Sequence, residues 1–246
     1  MSEKLTTTKI DSHPRVFQGV GKEEKIYAHR FSDEENRTRE ITWKILCEKF
    51  FQPYVPVDGS VVDIAAGDGL FVRNIKANRR IAVDLNQHVR SLISYGIEPI
   101  VAPATDFVSK LSDKVNVVFM SNFLEHLPDK RVMLQVLEEC RRALKPNGLI
   151  LILQPNIRYV GAAYWDYIDH HIALTEHSLT EALEVTGYQI VCVIPRFLPY
   201  TARSKLGRMV NGAKFSFLIE LYLKFPILWK IFGQQTFVVA KSLDKY

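Results

Sequence analysis

Short apolar runs alternate with amphipathic stretches along most of this 246-residue chain. Residues 115–120 form a valine-rich run without regular polar alternation, which is typical of a strand buried on both faces. After Asp129, apolar side chains recur at spacings of three and four up to Leu144, which indicates a capped amphipathic helix. Because such strands and helices alternate, the pattern predicts an α/β fold with a doubly wound, mostly parallel sheet.

The same pattern predicts seven strands, near residues 61–65, 80–84, 99–101, 115–120, 149–153, 189–194 and 236–240. A loose arm reaches about residue 22, and a helix follows over about 34–51. We therefore divide the chain into an N-terminal arm and helix, residues 1–56, and a main domain, residues 57–246. The main domain contains a helical insertion, residues 196–234, between its last two strands. Ser178 and Glu181 have the spacing of a capping box, which predicts the start of a helix there.

The bulk composition indicates a cytoplasmic protein. No uninterrupted apolar run is long enough to cross a bilayer, and the N-terminus lacks the basic start and apolar core of a secretion signal. The three cysteines, Cys47, Cys140 and Cys192, are far apart and form no CxxC pair. This distribution argues against a disulfide framework or a zinc site and fits a reducing compartment.

The net charge of +5 is concentrated in the C-terminal part of the chain. Residues 196–246 contain nine Lys and Arg against two acids, so the rest of the chain is slightly acidic. Such a segment can attract a phosphorylated substrate, an anionic membrane or nucleic acid, or simply form a solvated basic face. Its apolar helices, broken by charges and Pro226, favour a lid over an acceptor pocket; a dimer surface and peripheral membrane contact remain alternatives.

The first strand ends in Asp63-Ile-Ala-Ala-Gly67-Asp-Gly69. Glycine allows a ligand to approach the backbone closely because it lacks a Cβ atom. The third glycine of the dinucleotide fingerprint is missing, which favours a smaller cofactor that carries an amino acid. Asp63 can support the glycine loop or meet the ammonium group of such a cofactor.

Three more polar residues follow strand ends. Asp84 ends the second strand and can accept hydrogen bonds from both hydroxyls of a ribose; alternatively it is an exposed acid. Asp106 follows the third strand and can accept from the exocyclic amine of adenine; alternatively it caps a helix. Asn122 leaves the fourth strand and is expected beneath the cofactor. The carboxyl ends of parallel strands are where ligands bind in such sheets.

These motifs, with Asn122-Phe-Leu-Glu-His-Leu-Pro128 and Leu144-Lys-Pro-Asn-Gly148 in order, resemble the class I S-adenosylmethionine (SAM)-dependent methyltransferases. The likeness is greatest to bacterial small-molecule and glycan-associated members, and it covers about residues 61–194. It implies a seven-stranded Rossmann-like sheet whose last strand is antiparallel. It also implies that SAM is the cofactor and is surrounded by Asp63, Gly67, Gly69, Asp84, Asp106 and Asn122. The Asn/Asp-Pro-Pro-Tyr signature of DNA-base methylation is absent after strand four.

A hydroxyl acceptor usually needs a base with a pKa near neutrality, and histidine fits this requirement. His126 follows strand four, and His171 precedes the next predicted helix, so both are candidates. His126 can instead pack against the following helix. The neighbouring His170 is expected to point elsewhere, and Asp166 or Asp169 can orient an imidazole. Asp166 is also a candidate base in its own right.

Two further sets of polar residues are expected on this side of the sheet. The spacing of Asp169, His170, His171 and His177 matches no familiar helix motif, so we expect no bound metal. Asn156 and Arg158 follow strand five, where they can bind acceptor hydroxyls or phosphate, or form loop structure.

The sequence therefore predicts SAM-dependent methyl transfer to the oxygen of a small polar acceptor, such as a sugar or glycan precursor, with or without phosphate. One alternative is a catalytically silent protein that binds SAM or a partner. Another is an RNA methyltransferase, which the basic C-terminal part suggests but no recognisable RNA-binding module supports. The missing third glycine makes a dinucleotide oxidoreductase the weakest alternative.

Overall fold

The computed structural model describes residues 33–200 and 212–243. The arm expected over the first 22 residues, and part of the insertion, lie outside the described residues. Helix α1, Asp33–Leu46, continues as one π-helical turn, Cys47–Phe51. A short 3-10 turn follows at Gln52–Tyr54, where Pro53 lacks the N–H that a longer helix would need.

The centre of the fold is a seven-stranded sheet. Its strands are β1 Ser60–Ile64, β2 Arg79–Asp84, β3 Glu98–Val101, β4 Val115–Ser121, β5 Leu144–Pro155, β6 Tyr188–Ile194 and β7 Gln235–Ser242. Their spatial order is β3-β2-β1-β4-β5-β7-β6. Strands β1 to β5 pair in parallel, whereas β7 is antiparallel to both β5 and β6. This topology confirms the predicted doubly wound sheet with an antiparallel last strand.

Helices cover both faces of the sheet. They are α2 Leu70–Asn74, α3 Lys130–Ala143, α4 Ile157–Val160, α5 Glu176–Val185, α6 Gly212–Lys224 and α7 Pro226–Phe232. Asp129 caps α3 by accepting hydrogen bonds from the N–H groups of Arg131 and Val132, as its position predicted. Cys140 lies on the buried stripe of α3 and is fully inaccessible. Helices α6 and α7 lie between β6 and β7, within the predicted insertion.

The predicted N-cap of the helix before β6 is wrong by three residues. Helix α5 begins at Glu176, and its N-cap is Thr175 rather than Ser178. The side chain of Thr175 accepts from the N–H of Ser178, while the Ser178 hydroxyl accepts from the N–H of Thr175. Ser178 thus completes a capping box that opens one turn earlier than its spacing to Glu181 suggested.

Helices α6 and α7 pack on the same face of the sheet as α1. Trp229 of α7 and Phe197 both contact Phe50, and the Phe50 and Phe197 rings are stacked with centroids 4.0 Å apart. The hydroxyl of Tyr222 donates to the backbone oxygen of Phe197 at 2.6 Å. The Trp229 indole N–H donates to the backbone oxygen of Tyr222 at 2.8 Å. Among the described residues, no helix is both long and apolar enough to traverse a bilayer.

Candidate functional site

The loop after β1 has the backbone conformation that its glycines predicted. Ala65, Gly67 and Gly69 have φ values of 55°, 52° and 70°, in the left-handed region that favours glycine. A Cβ atom on Gly69 would lie 2.7 Å from a terminal methyl group of Leu92, so a larger residue there would have to displace that side chain. A Cβ atom on Gly67 would meet nothing within 4 Å. Gly67 therefore borders open space in which a ligand can approach the backbone.

The carboxylate of Asp84 holds this loop. Its Oδ2 accepts a hydrogen bond from the Gly67 N–H, and its Oδ1 accepts one from the Asn86 N–H, both at 2.8 Å. Each carboxylate oxygen has lone pairs for more than one donor. Asp84 can therefore fix the loop and still accept hydrogen bonds from the hydroxyl groups of a ligand.

Asp63 is buried inside β1, directly before the glycine loop. Only 4 % of its surface is exposed. Burial raises the pKa of its carboxyl group well above the usual range, and the nearby charge of Asp84 raises it further, whereas a hydrogen bond with the Val72 backbone opposes the shift. A positively charged ligand group near Asp63 would stabilise its ionised form.

Asp106 and Asn122 differ in how strongly they suggest a ligand. Asp106 is exposed, and its Oδ1 accepts from the Ser109 hydroxyl at 3.3 Å; it does not cap the following 3-10 turn, Val108–Lys110, whose N-cap is Phe107. Asn122 directly follows β4 with φ of 47°. Its Oδ1 is buried and has no hydrogen-bond partner in the described part of the chain. Since such atoms are costly to bury alone, Asn122 marks a place for a donor from a ligand.

A short turn after β4, Leu124–His126, carries a buried acid and a histidine. Glu125 is 1 % exposed, and its Oε2 accepts a hydrogen bond from Gln154 Nε2 at 2.9 Å. Its other oxygen lies 3.9 Å from His126 Nε2. Burial raises the pKa of Glu125, although His126 and Gln154 act in the opposite direction.

The loop before α5 brings a second histidine to this turn. His170 is only 6 % exposed, and its ring centroid lies 5.1 Å from that of His126. His126 Nδ1 lies 3.0 Å from the Asp169 backbone oxygen and 3.3 Å from the Asp169 carboxylate. We refer to Glu125, His126 and His170 as the Glu–His cluster.

The side chains of the two adjacent histidines point in the opposite way to the prediction. His170, expected to point elsewhere, is buried in the cluster, whereas the side chain of His171 is exposed. The backbone explains the difference, because the N–H groups of His171 and Ile172 both donate to the backbone oxygen of Glu125, at 2.8 and 3.2 Å. Asp166 is also exposed and lies at the end of the 3-10 turn Gly161–Asp166.

Asn156 and Arg158 contribute to loop structure. Asn156 is fully buried; its Oδ1 accepts from the Arg158 N–H and its Nδ2 donates to Glu176 at 2.6 Å. Arg158 forms an ion pair with Glu176 at 3.5 Å. Glu125 and Gln154 are not among the residues predicted from the sequence, although Glu125 stands directly beside the candidate His126. That adjacency after a buried strand is the signal that could have identified it.

Comparison with known proteins agrees with the fold and shows the family. The family of methyltransferase domains matches residues 34–193. A SAM-dependent methyltransferase from Archaeoglobus fulgidus is 23 % identical with a TM-score of 0.60, and the match covers 89 % of this chain and 97 % of that chain. A SAM-dependent methyltransferase from Methanosarcina mazei is 15 % identical with a TM-score of 0.57, covering 80 % and 98 %. The N-methyltransferase NodS from Bradyrhizobium japonicum is 12 % identical with a TM-score of 0.52, covering 86 % and 97 %. A search of curated proteins finds no significant match.

Proposed function

The chain belongs to the family of methyltransferase domains and is a SAM-dependent class I methyltransferase, and from this premise we propose that it methylates an oxygen of a small polar acceptor. A sugar or glycan precursor is the acceptor class that we favour. The observation that carries the proposal is the Glu–His cluster. Two of its members, the buried Glu125 and the half-buried His126, follow β4, the strand next to β1. A reaction that removes a hydroxyl proton needs such titratable groups, whereas binding SAM alone does not.

When bound, SAM supplies a methyl group on a positively charged sulfur, which an acceptor oxygen displaces as S-adenosylhomocysteine leaves. The open space at Gly67 fits a cofactor that approaches the backbone. We propose that Asp84 accepts from the ribose hydroxyls and that Asn122 Oδ1 accepts from another cofactor donor. Asp63 would stabilise the ammonium group, and Asp106 would meet the adenine amine.

On the acceptor side we propose His126 as the catalytic side chain. Its ring is held through Nδ1 by Asp169, so Nε2 is the nitrogen that can act on a hydroxyl. The exposed His171 and Asp166 have no comparable support from neighbouring groups, and we leave them outside the proposed catalytic set. Enzymes of this kind depend mainly on alignment and on exclusion of water, which the buried surroundings of His126 favour.

Aromatic side chains beside the cluster support a sugar-like acceptor. The Tyr167 ring stacks on His170 with centroids 5.0 Å apart, and the Tyr200 ring lies 6.1 Å from that of Tyr167. Such rings present an apolar face and a polar edge, as a sugar does. Pockets that combine aromatic walls with a few polar groups are typical of small-molecule sites.

A screen with methyl-labelled SAM tests this function. Purified protein would be incubated with separate pools of sugars, sugar phosphates, nucleotide sugars, amines and RNA, and the label would be traced to the methylated atom. We expect transfer to a hydroxyl in a sugar-containing pool, and loss of that transfer in His126→Ala. Label found only on RNA or on amine nitrogen would contradict the proposal. SAM binding by calorimetry without transfer to any pool would favour the catalytically silent alternative.

A further inference from the structure

We propose that the Glu–His cluster is a binding site for a divalent transition-metal ion, held by Glu125, His126 and His170. The role that we assign to the ion, activation of the acceptor hydroxyl, rests on the proposed O-methylation. With the ion bound, His126 Nε2 would be one of its ligands and would act on the acceptor hydroxyl through the ion instead of taking the proton itself. Binding of the ion does not depend on the proposed O-methylation, because all three ligands are side chains of the protein. The sequence pattern predicts no metal, but that prediction concerns Asp169, His170, His171 and His177 and not Glu125 or His126.

The three side chains converge closely enough to share one ion. One ligand atom from each lies within 4.8 Å of the others. Atoms bound to a single ion at about 2.0–2.2 Å lie roughly 3–3.5 Å apart in a tetrahedral site. The three groups would therefore each move by less than about 1 Å to bind an ion.

Both imidazoles are oriented in the way that metal-binding histidines usually are. His126 Nδ1 lies 3.0 Å from the Asp169 backbone oxygen, and His170 Nδ1 lies 2.7 Å from the Tyr164 backbone oxygen. A carbonyl oxygen can only accept, so each Nδ1 carries the proton and each Nε2 carries the lone pair. We therefore assign the Nε2 atoms as the nitrogens that bind the ion; that of His126 lies 3.9 Å from Glu125 Oε1.

The buried carboxylate of Glu125 makes a positive charge at this place favourable. Glu125 and His170 are almost inaccessible, and a buried carboxylate is costly unless it is paired with a cation. Gln154 donates to Glu125 through Nε2, but its Oε1 is buried and finds no hydrogen-bond partner within the described residues. Gln154 is itself fully inaccessible, so a buried acceptor without a described donor adjoins the carboxylate of Glu125.

The ligand types indicate which ions the site would take. Two imidazole nitrogens and one carboxylate suit Zn²⁺, Mn²⁺, Fe²⁺ or Co²⁺, whereas Mg²⁺ and Ca²⁺ prefer oxygen ligands. Three protein ligands leave at least one position open. An acceptor hydroxyl in that position would lose its proton to solvent more easily, because the positive charge stabilises the alkoxide.

Cobalt titration tests binding without any acceptor. Protein treated with a chelator and then dialysed would be titrated with Co²⁺, following visible absorption and heat. We expect one ion per chain in the wild type. Glu125→Gln and His170→Ala should each weaken binding by at least about tenfold, since ligand loss costs no less than loss of an outer-shell partner. His171→Ala, an exposed histidine next in sequence, is the matched control and should bind like the wild type.

Circular dichroism and SAM titration would show that each variant is folded. Wild-type protein that shows no saturable Co²⁺ binding would overturn the site, as would a folded His170→Ala variant that binds Co²⁺ normally. SAM binding by ion-free protein reports on the cofactor site separately. If ion-free enzyme methylated its acceptor at the full rate, the assigned role of the ion would be overturned while the proposed O-methylation stood.

Discussion

The carboxylate of Asp84, at the end of β2, accepts a hydrogen bond from the backbone N–H of Gly67 at 2.8 Å. One side chain thereby links the ends of two adjacent strands and sets the shape of the loop between them. Substitutions at the two positions should act differently, because Gly67 contributes space and Asp84 contributes acceptors.

Gly67→Val should lower SAM affinity by about tenfold to a hundredfold, because the valine side chain would fill space that the cofactor needs. Overpacking of this kind costs roughly 1–3 kcal/mol. Gly96→Val is the matched control, because Gly96 also has a left-handed φ, of 68°, and its Cβ would have 3.8 Å of clearance. Both variants carry a similar backbone penalty, roughly 1–2 kcal/mol. Calorimetry with SAM separates them, and unchanged affinity in folded Gly67→Val would refute the assignment of the cofactor loop.

Asp84→Ala should weaken SAM binding by about 1–3 kcal/mol, because it removes a charged acceptor and frees the Gly67 N–H. The change can be measured by the same titration. Asp58→Ala, in the turn before β1, offers a control for loss of a carboxylate elsewhere on the domain. Affinities of the two variants that agree within about twofold would rule out a direct role for Asp84, since that difference is well below 1 kcal/mol.

The raised pKa of Asp63 predicts a pH-dependent stability difference. The folded state binds this proton more tightly than the unfolded state, whose ordinary value is 3.8. The stability that Asp63 contributes is therefore complete below that value and is lost as pH rises towards the folded-state pKa. Asp63→Asn removes this dependence. The free energy of unfolding of the variant, relative to that of the wild type, should therefore increase from about pH 4 to about pH 8.

Urea unfolding at several pH values would measure this difference. Glu98→Gln provides a control of opposite sign, because a hydrogen bond from Arg79 lowers the pKa of Glu98. The stability that ionised Glu98 contributes is present above the pKa of this group in the unfolded state and is lost as pH falls. A constant difference between Asp63→Asn and wild type across this range would show that Asp63 titrates normally in the folded protein.

His126→Ala should reduce kcat by about 10²–10⁴-fold, the usual effect of removing a group that assists proton removal. SAM affinity should stay within a few fold, because His126 lies on the acceptor side. His171→Ala should leave kcat nearly unchanged, since its side chain is exposed. Steady-state kinetics with an acceptor from the screen would compare them, and equal rates in both variants would exclude His126 from catalysis.

The strand pattern of the sequence was sufficient to predict the fold. Valine-rich runs such as β4 have few alternatives to a buried strand, and the glycines after β1 require special backbone angles. The start of α5 was harder to predict, because Thr175 and Ser178 both carry hydroxyls that can cap a helix. Local sequence does not show which of the two is the N-cap.

The acceptor side was less predictable for a different reason. Which of His170 and His171 is buried depends on how their loop docks on the Glu125 oxygen, some 45 residues away in sequence. The burial of Glu125 likewise depends on contacts from β5 and from that loop. Sequence spacing identifies the residue types that reach this end of the sheet, whereas their directions follow from the packed structure.

The place of β7 between β5 and β6 has a consequence for synthesis of the chain. Among the described strands, β6 pairs only with β7, although β7 is made more than 40 residues later. While the ribosome is still adding residues before Gln235, β6 has no neighbour and β5 exposes an open edge to other chains. A premature stop anywhere in α6 or α7 would therefore remove two strands from the sheet rather than one, and we expect such products to aggregate or be degraded.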